Sequence, residues 1–391
     1  MKRVVAMALA AILSIGSLSA QYKSFTTPKV VRDIVADCGA KADGKSNDGQ
    51  VLQGAIDELS AAGGGVVRIP KGSYQLSNVR LRSNISLEIE GGTVITLPLS
   101  QPNANTSLFI LGEAGTLIKN VAIKGVGGRF LIDVRGAGGR PRIFSFKNVH
   151  NFTVSDVDII DAKTTFPMMT FSPCEKNDEE IFGPTDGLII NASAYDCHYG
   201  YGLVQAHGAR RVHFENLYGV GGVTLRFETG AKEINNRQFG GVFDVSGKNI
   251  TGRDGNAVVM IAPHSMHNGV VRVEDVTSYG CGAGVRVEGG YISKKYSAEG
   301  LTGGSFDKRS YVKGVKAYFG MNAQLKPKHF KYMPEELLPR IMPTVDGISE
   351  HSPAIAAVLY TVNNDEVTIS DVEAYGFTNE SVVRDQAPRN K

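Results

Sequence analysis

One pattern recurs along this chain: a short run of alternating apolar residues, then Asn or Asp, then an aliphatic residue and a turn. It appears at Phe152–Ile160 (FTVSDVDII), Val212–Val220 (VHFENLYGV), Val242–Gly252 (VFDVSGKNITG), Val271–Gly280 (VRVEDVTSYG) and Val367–Gly376 (VTISDVEAYG). Such a unit cannot bury its apolar side alone, so copies must stack on one another. The repeat therefore predicts an all-β chain of stacked coils, with Asn and Asp placed where the chain bends tightly. The irregular spacing fits coils lengthened by loops. A content of 46 Gly and 42% apolar residues supports many brief strands and excludes a disordered chain.

Residues 1–20 read as a secretory leader: Lys2 and Arg3, an apolar run Val4–Leu18, then the small residues Ser19 and Ala20. That run is too short to span a bilayer comfortably, so a secreted protein without a membrane segment is expected. Residues 21–391 are expected to form one catalytic domain. Near its start, Val51, Leu52, Ala55, Ile56 and Leu59 recur at helical spacing and predict a helix near 48–61, stopped by Gly63-Gly64-Gly65. Short strands follow at Val66–Ile69, Ser73–Leu76, Val79–Leu81, Ile85–Ile89 and Thr93–Leu97. The stretch DCGAKADGKSNDGQVLQGAIDEL with GGGVVRIPKGSY, within Val35–Leu97, resembles the N-terminal cap of the pectate-lyase-like β-helix superfamily, a resemblance that implies a single-stranded right-handed parallel β-helix, which the stacked repeat supports. In that arrangement the helix covers apolar side chains that a solenoid end would otherwise expose.

Two stretches interrupt the repeat, near 164–185 and near 294–349, and are expected as insertions that wall a cleft. The four Cys (Cys38, Cys174, Cys197, Cys281) lack metal-type spacing, which leaves core thiols or at most two disulfides. A formal charge of +3 is close to neutral, so a polyanionic partner must be argued from where the basic residues sit.

On a stacked coil, side chains alternate between core and solvent, and residues one coil apart lie side by side. In Leu203–His207, Val204 and Ala206 suit the core, leaving Gln205 and His207 outside. In Val223–Glu228, the odd positions are apolar and Thr224, Arg226 and Glu228 are expected to point out. Gln205 and Glu228 are 23 residues apart, about one coil. His264 follows after a coil lengthened by Thr229–Gly240, and Arg286 and Glu288 occupy the outward positions of the next. The same counting puts Asp186 one coil before Gln205. The expected column is Asp186, Gln205/His207, Arg226/Glu228, His264 and Arg286/Glu288. A solvated strand face also has polar residues at every second position, but a gathering of two His, two Arg and two Glu on adjacent coils points to a cleft floor.

The segments LVQAHG, TLRFETG and MIAPHSMHNG resemble the active-site run of the iota-carrageenases of glycoside hydrolase family 82. That resemblance implies that Glu228 is the general acid and that Gln205 and His264 position substrate, water or a bound anion. A proton-donating carboxyl needs a raised pKa, which burial beside Phe227 favours and Arg226 opposes. The family pattern carries an Asp two residues after the acid, where this chain has Gly230. The base of an inverting mechanism is then open: Glu288 and Asp186 are the leading choices, Glu233 and Asp244 the weaker ones.

Arg210, Arg211, Arg226, Arg237, Arg253, Arg286, Lys294 and Lys295 cluster in sequence around this column, and Arg suits bidentate recognition of sulfate or carboxylate. His207, Arg226, Arg286, Arg253 and Arg237 are the expected substrate contacts. With no Trp in the chain, a polyanionic polysaccharide fits better than a neutral one, and the resemblance implies that it is a sulfated galactan of the iota-carrageenan type. No cofactor or metal is required by this reading, which leaves room for a bound chloride, sodium or calcium ion. Nucleic-acid motifs are absent and a monomer is expected. Three other readings stand beside it: a polygalacturonase-type hydrolase, from PTDG at Pro184–Gly187; a polysaccharide lyase on the same fold; and a non-catalytic carbohydrate-binding β-helix.

Overall fold

The computed structural model describes residues 22–25, 30–175, 181–296, 298–361 and 367–385. The expected leader, residues 1–20, lies outside them. The chain winds into a right-handed parallel β-helix whose coils each contribute strands to three parallel faces. Residues of the first face pair from coil to coil as Val121↔Phe152, Phe152↔Gly187 and Gly187↔Val212. The second face runs Val157↔Ala192, Ala192↔Leu217 and Leu217↔Ile250. The third runs Met169↔Val204, Val204↔Leu225, Leu225↔Val259 and Val259↔Val285.

The recurrent Asn or Asp marks the corner between the first and second faces. Asp156, Asn191, Asn216, Asn249, Asp275 and Asp371 there all have φ between 53° and 61°, a left-handed conformation that these short polar residues tolerate. Their side chains also bond along the axis: Asn191 donates to Asp156 at 2.8 Å, Asn216 to Asn191 at 3.0 Å and Asn249 to Asn216 at 2.8 Å. A second ladder, Asn151 to Asn120 to Asn84, forms at the corner that opens the first face.

Helix α1 (Gly49–Ala61) buries Leu52, Ala55, Ile56 and Leu59 against the first coils, as the 3.6-residue spacing requires. Asp48 precedes it, but its carboxylate accepts from the Lys41 and Ala42 amides at 2.8 and 3.1 Å rather than from the helix. Beneath the third face runs a file of phenylalanines, Phe146 against Phe171 at 4.2 Å, Phe171 against Phe214 at 5.3 Å and Phe214 against Phe227 at 6.0 Å. Fully buried aromatic contacts of this kind fix the floor on which the outward side chains stand.

Both stretches expected as insertions contain a rung. Met169–Phe171 is a third-face strand, paired with Phe144–Phe146 and Val204–Ala206. Ser310–Tyr318 is a strand of the first two faces in which Gly314, at φ 74°, takes the corner normally held by Asn or Asp. The long excursions are thus shorter than expected. The four cysteines are free. Among the described residues no helix is long and apolar enough to cross a membrane.

Candidate active site

Thr170, Gln205, Arg226, Met260 and Arg286 are lateral neighbours on successive rungs of the third face. Two positions further along, Glu228 pairs with Ala262, and the Glu288 amide bonds Ile261 O at 2.8 Å, which extends the next rung in the same register. Val204, Ala206, Leu225 and Phe227 are buried in the core, as alternation requires. Thr224 departs from it: its hydroxyl donates to Thr251 O at 3.2 Å inside the coil, against Gly219 and Gly252, because the strand has only just left a corner.

Glu228 is the hub. Its Oε2 accepts from Gln205 Nε2 at 3.0 Å and is ion-paired with Arg226, while its Oε1 lies 2.9 Å from His264 Nε2. An ionised carboxylate only accepts, so His264 Nε2 carries a proton, while its Nδ1 lies 3.2 Å from the Tyr296 hydroxyl. Burial would raise the Glu228 carboxyl, but the Arg226 charge, the His264 hydrogen bond and charge, and nearby His207 outweigh it and hold the group well below the usual carboxylate range. The expected tilt towards a raised pKa is therefore reversed in the free protein. Burial takes His207 down to about 4 against the pull of the Glu228 carboxylate, so this imidazole is neutral.

His264 stands outside the strands in a left-handed conformation, φ 54°. Tyr291 and Gly304 both donate their amides to its carbonyl, at 2.7 and 2.8 Å. Tyr296 and Lys295 arrive from the same excursion, and Lys295 Nζ donates to Gly230 O at 2.7 Å. A Cβ at position 230 would stand 2.9 Å from the His264 ring, which would have to shift to admit it. Glycine at this position and the placement of His264 are thus one structural fact.

The cleft has two lobes that share Arg226 and Glu228. The larger, about 530 Å³, reaches Arg142, Lys147, Glu233 and Lys295; the other, about 380 Å³, reaches Tyr199, Arg286, Glu288, Lys326 and Lys328. Several polar atoms sealed in the wall of the first lobe have no hydrogen-bond partner among the described residues, among them Thr170 Oγ1, His207 Nδ1, and the Nε atoms of Arg142 and Arg226. Buried polar groups are ordinarily paired, so this wall holds spare hydrogen-bonding capacity. Arg286 bonds Asn256 and lies 3.3 Å from Glu288, both side chains almost fully buried.

Gln205, His207, Arg226, Glu228, His264, Arg286 and Glu288 therefore meet in one cleft, whereas three residues expected there do not. Asp186 sits at the corner opening the first face, held bidentately by Arg211 at 2.6 and 3.1 Å. Arg253 lies on the second face, its guanidinium 5.2 Å over the Tyr279 ring. Arg237 is exposed on the short helix α2 (Lys232–Arg237) and lines neither lobe. Asp244, a weaker choice for the base, is another corner residue, 3.8 Å from Arg272. Arg142, Lys147, Tyr199, Tyr296, Lys326 and Lys328 were not anticipated. For Arg142 the outward alternation of RPRIFSF was a usable signal; the others stand at corners or in loops, where no period places them.

No family model matches the chain. It is 37% identical over 308 residues to an iota-carrageenase of Zobellia galactanivorans, an alignment covering 76% of this chain and 62% of that protein. The chain spans about three fifths of the length of the curated relatives it matches. Among solved structures, an iota-carrageenase complexed to iota-carrageenan fragments superposes with a TM-score of 0.85 at 26% identity, covering 95% of this chain and 93% of the other. The family 82 iota-carrageenase from A. fortis, determined in the absence of chloride ions, gives 0.86 at 25% identity, with coverages of 95% and 93%. By sequence and by fold, the chain is a homologue of the iota-carrageenases of glycoside hydrolase family 82.

Proposed function

We propose that this chain is an exported, single-domain, monomeric glycoside hydrolase that cuts β-1,4 linkages within a sulfated galactan of the iota-carrageenan type, with inversion. The observation that carries the reading is the position of Glu228 at the junction of two lobes, each reaching further cationic side chains. A polyanionic chain laid through both lobes would have its scissile bond at that carboxyl and its anionic substituents among Arg142, Lys147, Lys326 and Lys328. Cations at both ends of an open groove fit cleavage within a polymer.

Glu228 is the proton donor in this scheme. Held ionised in the free protein by Arg226, it gains its proton when an incoming anionic group draws that guanidinium away. Gln205 and His264 orient the carboxyl, and Tyr296 braces the other ring nitrogen of His264. Glu288 is the base: two rungs beyond Glu228 on the outward row, it lies about 9.6 Å along the axis by strand spacing, and side-chain lean brings the carboxyls into the range of roughly 6.5–9.5 Å that accommodates water in inverting enzymes. Glu233 is the competing base, because it lines the same lobe as Glu228. Arg226, Arg286 and His207 contact substrate. A halide ion would fit the unpartnered donors around Gln205 and Arg226; among the described residues no group of three or more His, Cys, Asp or Glu is placed to hold a metal.

The test is incubation with iota-, kappa- and lambda-carrageenan and with polygalacturonate, followed by reducing-end and ultraviolet assays. Reducing ends from iota-carrageenan alone, without new absorbance, are expected. New absorbance would mean elimination, release from polygalacturonate would favour the pectin-type reading, and no cleavage with retained binding would favour a non-catalytic protein.

A further inference from the structure

Outside the cleft, a separate cavity of about 310 Å³ opens where the third face turns into the first, lined by His150, Arg210, Phe239 and Phe243 among others. The register builds it. Lys119, His150, Thr185, Arg210 and Phe243 are lateral neighbours on successive rungs, each one residue before the corner that opens the first face, in a row that carries Lys119 and Arg210 and ends in an aromatic ring.

Arg210 and Arg211 are adjacent in sequence and opposite in state. Arg211 is committed to Asp186 through two hydrogen bonds. Arg210 is exposed, stacks 5.5 Å from the centre of the Phe243 ring and makes no ion pair among the described residues. Its guanidinium edge is open to an oxyanion. The surrounding field is positive: burial, then Lys119, Arg211 and Arg210, lower the His150 pKa against the opposing pull of Asp186.

Phe239 is 50% exposed, and its backbone is pinned. Its amide bonds Ile234 O at 3.2 Å, the preceding Gln238 side chain donates to Thr302 O at 2.8 Å, and the nearby Val242 amide bonds Asn268 Oδ1 at 3.0 Å. A ring held out to solvent by a fixed loop, beside an arginine with no carboxylate partner among the described residues, matches a sugar residue that bears an anionic substituent. The apolar face of the sugar covers the ring, and the guanidinium takes the substituent with two parallel hydrogen bonds. Pro173 lines both this cavity and the larger lobe of the cleft, so the two are adjacent.

We infer that this corner cavity is an accessory site that holds a sulfated or carboxylated sugar residue of the polysaccharide beside the cleft without touching the bond that is cut. It rests on the polyanionic-substrate reading above. A second attachment point raises the effective concentration of polymer at the cleft and does nothing for a fragment too short to reach both sites.

Calorimetric titration of the Glu228→Gln chain with a sulfated carrageenan oligosaccharide should give two sites per chain, and adding Arg210→Ala with Phe239→Ala should leave one. A desulfated oligosaccharide should not fill the second site. In the active chain the same double substitution should raise KM on polymer by about tenfold, with turnover of short fragments unchanged. Two sites persisting in the double variant, one site in the Glu228→Gln chain, or equal binding of the desulfated sugar would each overturn the accessory site while leaving cleavage intact. An unaltered chain that neither binds nor cleaves carrageenan would instead remove the substrate reading, and this inference with it.

Discussion

Gln205 Nε2 and Glu228 Oε2 meet at 3.0 Å, although the strand register sets Arg226, not Glu228, directly beside Gln205. The contact is diagonal, and it leaves Arg226 close enough to share the same oxygen. Substitution should separate the two roles. Glu228→Gln is expected to lower kcat by about 10²–10⁴, the usual worth of a general acid, with binding retained. Gln205→Ala should cost less, because it removes an orienting bond and not the proton; reducing-end kinetics on a single substrate distinguish the two.

Arg226 should govern the pH profile. If Glu228 is the proton donor, as proposed, its protonated form is the active one, and in the free protein Arg226 disfavours it. The alkaline limb of kcat, which reports the substrate complex, is therefore expected at higher pH than that of kcat/KM. Arg226→Gln should move the kcat/KM limb upward and raise KM together. Coincident limbs in the parent chain would contradict displacement of the guanidinium by substrate.

The identity of the base is open to direct comparison. Glu288→Gln is expected to lower kcat by about 10²–10⁴, whereas Glu233→Gln should stay within a fewfold, and the reverse result would assign the role to Glu233. Proton NMR of the first product should show the inverted anomer.

Restoring a carboxylate at position 230 should fail. The His264 ring stands 2.9 Å from where a Cβ would be, so Gly230→Asp is expected to displace the imidazole, lower Tm and reduce activity. Gly230→Ala should do the same to a smaller degree, which separates the steric effect from the charge.

His207 should leave a mark on acid stability. Its folded pKa, about 4, lies below the ordinary value of 6.5, so the unfolded chain binds a proton first as pH falls. Stability from this group is complete above about 6.5 and declines to about pH 4, by up to about 3 kcal/mol. Urea titrations from pH 7 to 4 should show that decline, and His207→Asn should flatten it.

Much of this architecture was legible because it is periodic. Leu52, Ala55, Ile56 and Leu59 announced the helix, and the corner Asn and Asp residues announced the coils. Alternation and a 23-residue spacing brought Gln205 to Glu228. Counting failed where a strand turns a corner. Thr185–Ala206 bends through successive faces, so Asp186 and Gln205 open and close one coil, and a separation of 19 residues does not make them neighbours. Arg253 was misplaced for the same reason, since alternation says in or out but not which of three sides. The rung at Ser310–Tyr318 went unseen because Gly314 replaces the corner Asn or Asp.

Every excursion that shapes the cleft leaves the coil at a boundary of the third face, whereas the turn between the first and second faces stays a single residue wide on each coil from Asp156 to Asp371. The amides bonded from Asn249 back to Asp156 thus act as a binding edge, like the spine of a book whose pages differ in outline. The segments over the groove can therefore be lengthened or exchanged without disturbing the floor beneath, which the spine keeps in alignment.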